Sequence, residues 1–298
     1  MKATISTAIA LAGVLATGFA TTHAAASEAP LRLDADMLDS VTAGQLNLGP
    51  LVVNLGQDGN FGVNNTGSNN FGVGNTGSGN RGAFNQGEDN SGAFNGLGSD
   101  ATNAGNRNTG AFNGIGNTGS SSGNNNRGAF NGNFNSGQQA GSNNDGSFTG
   151  NANSGRGSGA VNRGSFSGNF NSDVDAGREN QGNFSGNFNS ARFAGRGNQG
   201  NFSGNFNSGE SAGQINNGNF SGNFNSGPTA GSFNQGNFSG NFNSEERAGR
   251  SNEGNFSGNF NSARNSGSFN EGSFAGNFNT EPFAGIDLIG NFRGNFNR

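Results

Sequence analysis

Two short acidic clusters, Asp173 with Asp175 and Glu245 with Glu246, are the best candidates for acid–base chemistry in this chain of 298 residues. Catalysis by paired carboxylates needs two groups that face each other across a cleft, whereas each cluster lies within one variable stretch. The chain has no Cys or Tyr, and it has a single His, His23. We therefore expect no catalytic residues and interpret both clusters as solvated loop residues.

The composition also argues against ligand chemistry. Without Cys there is no thiolate metal site, and a net charge of −4 with scattered Arg gives no basic patch for nucleic acid. Calcium-binding β-rolls also use 18 residues per coil, but they place Asp in Gly-Gly-x-Gly-x-Asp, and no such recurrent Asp occurs in this sequence. We expect no cofactor, no metal, no nucleic-acid partner and no enzymatic activity.

Residues 1–26 have the pattern of a secretory signal peptide. Lys2 provides the positive start, an apolar stretch follows from Ile5 to Ala20, and small residues surround possible cleavage sites after Ala24 and Ala26. A membrane anchor is the alternative, although the apolar stretch is short against the ~20 residues that a spanning helix needs. We predict cleavage, no membrane span afterwards, and a secreted or cell-surface protein that passes through the periplasm.

Residues 27–58 form a leader that differs from the rest of the chain. Within 31–44, Leu31, Met37, Leu38 and Val41 could share one face of a short helix, which either covers the first repeat or is recognised by an export or assembly factor. Alternating Leu and Val on both sides of Pro50 predict two short strands that cap the array.

Residues 59–91 repeat Asn-x-Gly-x-x with a period of five, from Asn60 and Gly62 to Asn90 and Gly92. This segment resembles the Asn-x-Gly-x-x pentapeptide repeats of mycobacterial surface proteins.

Residues 92–298 repeat with a constant period of 18, and the best units read Gly-Asn-Phe-Ser-Gly-Asn-Phe-Asn-Ser followed by nine looser residues. We number positions 1–18 from the Gly that opens each unit, such as Gly182 or Gly200. Phe recurs at positions 3 and 7, and Asn recurs at position 17. The predicted structural ladders comprise Phe166, Phe170, Phe184, Phe188, Phe202, Phe206, Phe220, Phe224, Phe238, Phe242, Phe256 and Phe260, with Asn180, Asn198, Asn216, Asn234 and Asn252.

Constant phase over many units predicts that equivalent residues lie above one another, as in an all-β solenoid with 18 residues per coil. Strand alternation over Gly-x-Phe-x-Gly-x-Phe predicts that the Phe side chains fill the interior and the Asn and Ser side chains face outward. Two alternatives remain for the sequence alone. Recent tandem duplication also preserves phase, and a Gly-rich polar chain is often disordered.

The order of signal peptide, short leader and Asn- and Gly-rich strand repeats is similar to that of curli-type fibre subunits, with Gly200 to Ser208 as one representative unit. The resemblance implies a self-associating extracellular fibre, a functional amyloid or a biofilm-matrix subunit. The last unit ends at Arg298 without a cap, which favours the same expectation. The alternative function is a monomeric surface adhesin or a glycan-binding solenoid.

Overall fold

The computed structural model describes residues 44–48, 50–99 and 101–298, and within them the chain is a parallel β-solenoid. A single 3₁₀ turn, Gln57–Gly59, interrupts the strands. The strands are β1 Gln45–Leu48, β2 Leu51–Leu55, β3 Phe61–Val63, β4 Thr66–Ser68, β5 Phe71–Val73, β6 Thr76–Ser78, β7 Arg81–Ala83, β8 Gln86–Glu88, β9 Ser91–Ala93, β10 Thr109–Ala111, β11 Arg127–Ala129 and β12 Asp145–Ser147.

The solenoid begins with an antiparallel hairpin. β1 and β2 flank Pro50, as predicted, and β2 then pairs antiparallel with β3, the first strand of the stack. The hairpin thus covers the backbone edge of the first coil, which would otherwise present unpaired N–H and C=O groups. The predicted signal peptide and the predicted helix over 31–44 lie outside the described residues, apart from Gly44.

The pentapeptide segment forms coils of ten residues, two pentapeptides per coil. β3, β5, β7 and β9 stack in parallel register on one side, with Phe61 beside Phe71 and Gly62 beside Gly72, while β4, β6 and β8 stack on the other side. Each coil is therefore a flat, two-sided loop with one Asn at the start of each side.

The coil then widens from ten to 18 residues without losing register. β9, β10, β11 and β12 pair in parallel with a spacing of 18, so the first sheet continues upward, whereas the second sheet ends at β8. Above β12 the same column continues as single parallel bridges, from Asp145–Arg163 to Glu271–Ile289. One hydrogen-bonded column thus connects the whole stack.

The interior of the 18-residue coils is polar. Four columns of small or amide side chains point inward at positions 4, 8, 13 and 17, represented by Ser185, Asn189, Ala194 and Asn198, and all four residues are almost completely buried. In the position 17 column, the Asn216 backbone N–H donates to Asn198 Oδ1 at 2.8 Å, and the Asn216 amide donates to the same oxygen at 3.2 Å. The predicted Asn ladder is therefore present as a buried amide ladder.

The predicted orientation of the Phe columns is wrong. Phe170, Phe188, Phe206 and Phe224 retain 37–49% of their surface exposed, while the Asn and Ser residues beside them are buried. The prediction assumed strand alternation, but Phe184 and Phe188 have left-handed backbone conformations with φ of 57°. Because residues at positions 3, 5 and 7 turn the chain instead of continuing a strand, the alternation fails and the inside and outside exchange places.

The all-β solenoid with 18 residues per coil is confirmed by this stacking. None of the described residues forms a helix long and apolar enough to cross a membrane.

Candidate interaction surface

Each 18-residue coil consists of two structurally equivalent nonapeptides. Position 4 corresponds to position 13, and position 8 to position 17, so Asn189 and Asn198 occupy matching buried sites nine residues apart. Position 5 corresponds to position 14, where Gly186 and Gly195 both have positive φ. The two nonapeptides therefore build the same interior from opposite sides.

Close contact between the two sides requires glycine at positions 5 and 14. A Cβ on Gly186 would lie 2.8 Å from Asn180 Cγ, and a Cβ on Gly195 would lie 2.7 Å from Asn189 Cγ. No such carbon fits without displacing a buried amide, which explains the constant Gly in both nonapeptides.

The outer surface of the first nonapeptide carries two parallel columns of Phe, which we call the aromatic face. The position 3 column runs from Phe84 to Phe292 and crosses the change of coil size, and the position 7 column runs from Phe170 to Phe296. Between Phe166 and Phe296 most neighbouring rings in a column are parallel and 4.8–5.0 Å apart, as for Phe202 and Phe220 at 4.9 Å.

This ring geometry limits what the aromatic face can bind. A spacing of 4.8–5.0 Å between parallel rings is an offset stack, so each ring covers the faces of the next. Sugars and nucleobases stack on ring faces, whereas these columns present mainly ring edges to solvent. The surface is therefore suited to apolar packing between aromatic edges.

A buried amide ladder lies between the two Phe columns at position 6. The Asn187 N–H donates to Asn205 Oδ1 at 2.8 Å, and Asn205 repeats the contact to Asn223. This ladder runs opposite to the one at position 8, where the higher residue donates to the lower, as Asn207 does to Asn189. Because these amides bond to one another, the floor between the Phe columns has little capacity left for a polar ligand.

The outer surface of the second nonapeptide, which we call the variable face, has no continuous column. Its position 12 reads Phe193, Ser211, Thr229, Arg247, Asn265 and Phe283.

Ion pairs between neighbouring coils cross the variable face. Glu179 accepts from Arg196 at 2.8 Å, and Glu246 lies 3.4 Å from Arg264. Both carboxylates keep more than a third of their side chain exposed, so these pairs are partly solvated.

Arg250 fills a gap in the position 16 column of the variable face. Its guanidinium lies 5.1 Å from the ring centre of Phe233 and 6.0 Å from that of Phe269, in the level where Ser251 leaves the column without a ring. Burial, and secondarily the charge of Arg247, lowers the pKa of Arg250 below its usual range. The stacked cation shows that this face accommodates different side chains over an unchanged interior.

The structure groups the predicted ladder residues into two sets. The twelve predicted Phe residues lie together on the aromatic face, and the five predicted Asn residues, from Asn180 to Asn252, lie inside the position 17 column. Sequence reasoning missed the position 8 column, Asn135 to Asn297, and the position 6 ladder. A period of nine, visible in Gly186 and Gly195 or Asn189 and Asn198, would have found the position 8 column.

The acidic clusters do not form a paired-carboxylate site. Asp175 is paired with Arg178 at 2.8 Å, and Glu246 lies between Arg247 and Arg264. Among the described residues, no group of three or more His, Asp or Glu side chains is placed to hold a metal ion.

Comparison with protein-family models, with curated proteins and with solved structures finds no match for this chain.

Proposed function

We propose that this protein is an exported structural subunit of an extracellular fibre or matrix. The observation that carries the proposal is the continuous stack: one parallel column connects β3 near the hairpin to Ile289, and at ~4.8 Å per level it makes a rod of roughly 70 Å. Such a rod has a repeated surface over its whole length, which suits a scaffold.

The interior supports a mechanical role. Side-chain amides in each ladder bond to the level above and below, so every coil is held by its neighbours as well as by its backbone. In stacked, in-register arrays this arrangement gives high thermodynamic and kinetic stability. A matrix component needs that persistence outside the cell.

The signal-peptide pattern at 1–26 supports export, and the half-exposed aromatic face supports association with another surface. The acidic clusters are engaged in ion pairs, which is compatible with a protein that does no catalysis.

The test combines location and assembly. Cells carrying the gene are fractionated, and the extracellular protein is sequenced from its N-terminus, which we expect to begin at Ala25 or Ser27. Electron microscopy of the same material should show rods or fibres, with a diffraction spacing near ~4.7–4.8 Å along the axis. A protein retained inside the cell, or an extracellular protein without extended particles, would overturn the proposal.

A second candidate is a surface adhesin, favoured by a trough on the variable face. Asn125, Gln139, Asn143, Arg156 and Arg178 line this concavity, and they offer amide and guanidinium groups to a polar ligand. Glycan-array binding by a protein shown to be monomeric, lost on Asn143→Ala with Gln139→Ala, would favour the adhesin over the fibre.

A further inference from the structure

We propose that two copies of this chain pair through their aromatic faces, and that lateral association stops at two rods. The proposal rests on the structural role given above, because it names the partner of the rod's surface. It commits to a second copy of this chain as the occupant of the aromatic face.

The exposed area is sufficient for a stable interface. From Phe166 to Phe296 each coil presents two rings, and several of these rings are exposed by 37–49%. With ~200 Å² for a Phe side chain, the columns leave on the order of 1,000 Å² of aromatic surface on each copy. A standard interface buries about 800 Å² per partner, so this face alone reaches the required size.

The spacing of the columns selects a second copy as the partner. Rings repeat every 4.8–5.0 Å along each column, and the two columns are separated by the recessed Asn ladder at position 6. A second rod has ridges with the same pitch, so its ring edges can insert between those of the first along the full length. A partner with another repeat would lose register after a few coils.

The fold does not require this aromatic uniformity. The second nonapeptide builds the same interior while carrying Ser211, Thr229 and Arg247 in the place of the position 3 Phe. Because an exterior of mixed residues is compatible with the coil, the unbroken Phe columns of the first nonapeptide are explained by a contact outside the chain.

The difference between the two faces limits the assembly. Pairing of identical aromatic faces is isologous, and an isologous contact of this kind closes after two copies. The variable faces then point away from each other, and their ion pairs, such as Glu179 with Arg196, would lose solvation in any further contact. The expected product is a two-rod filament with solvated outer surfaces.

The test measures how many chains occupy one cross-section. The secreted protein is examined by light scattering for mass, and by scanning electron microscopy for mass per length where filaments form. We expect two chains per cross-section for the wild type. One chain, or bundles of more than two, would overturn the proposal.

Two matched variants assign the contact to a face. The aromatic variant carries Phe202→Ser, Phe206→Ser, Phe220→Ser and Phe224→Ser, and the control carries Phe193→Ser, Ile215→Ser, Phe233→Ser and Phe269→Ser on the variable face. We expect a twofold fall in mass per length for the aromatic variant only, with unchanged circular dichroism. Equal loss in both variants, or no loss in either, would contradict the assignment.

A milder variant keeps the test decisive if the fourfold aromatic variant does not fold. Phe206→Asn with Phe224→Asn places a residue that tolerates the left-handed conformation at both sites and should also yield single rods. Secreted rods that remain single in the wild type would refute the pairing while leaving the structural role intact. Absence of any rod would refute the structural role itself.

Discussion

The two nonapeptides of each coil have the same interior and different exteriors. Asn207 and Asn216 occupy equivalent buried ladders, yet the first nonapeptide carries Phe202 and Phe206 outside, and the second carries Ser211 and Ile215. The comparison separates what the coil needs from what it only tolerates. Buried amides and contact glycines are needed on both sides, whereas a continuous aromatic exterior is present on one side and dispensable on the other.

The largest expected effect tests whether the two sides share one interior. Gly204→Ala would place a Cβ 2.9 Å from Asn198 Cγ, and Gly213→Ala would place one 2.7 Å from Asn207 Cγ. Each change should lower the free energy of unfolding by about 3 kcal/mol or more, since overpacking adds to left-handed strain. Gly197→Ala is the control, because it has the same φ of 70° as Gly204 but only Ile215 Cγ1 at 3.5 Å.

Chemical denaturation measures this difference. The control should lose about 1 kcal/mol from backbone strain alone. Unequal losses at Gly204 and Gly213 would show that the two interiors are not equivalent.

A buried charge sharpens the same comparison through pH. Asn216→Asp and Asn225→Asp each place a carboxyl in a ladder site that is 1% exposed. Burial raises the pKa of the new carboxyl in the folded state above its unfolded value of ~3.9. The variant's stability is therefore greatest below that value and falls as pH rises, by up to about 1.4 kcal/mol per pH unit, until the folded pKa is passed.

At pH 8 we expect each of these two variants to have lost about 3 kcal/mol relative to the wild type. Asn201→Asp, on the exposed position 2 column, is the control and should show little pH dependence. Thermal unfolding between pH 3 and pH 8 distinguishes these cases. A flat profile for one of the two ladder variants would break the equivalence of the sides.

The aromatic exterior should matter moderately for stability. Phe224 has φ of 58°, so Phe224→Asn loses ring stacking but gains a residue suited to the left-handed region. We expect a change within about 1 kcal/mol for Asn. Phe224→Val should lose about 2 kcal/mol, because a β-branched residue fits this conformation poorly. Denaturant midpoints for the two variants provide the measurement, and a larger loss for Asn would mean that stacking dominates.

The smallest effect is expected on the variable face. Glu179→Gln removes the partner of Arg196, and both side chains are about a third exposed. The loss should be roughly 0.5 kcal/mol or less and should vanish in 1 M salt because solvated ion pairs are screened. Melting curves at low and high salt provide the measurement. A loss that persists at high salt would mean that the ion pair is better shielded than its exposure indicates.

The stacked columns could be predicted because repetition of residue types at a constant period of 18 is a property of the chain itself. Phe166 to Phe260 and Asn180 to Asn252 are in register in the sequence and remain so in the fold. The two strands beside Pro50 followed equally well from local alternation. The nonapeptide equivalence was also present in the sequence, but its variable outer residues concealed it.

The sequence by itself determined the period, the register and the all-β class, because in-register repeats stack like on like. Which side of the chain faces inward was decided only by the tertiary structure. A buried Asn is costly in isolation, and it becomes acceptable when the Asn one coil below accepts its hydrogen bonds, as Asn198 does for Asn216. Local patterning places Phe inside, whereas the stack satisfies the amides inside and leaves Phe on the surface for a partner.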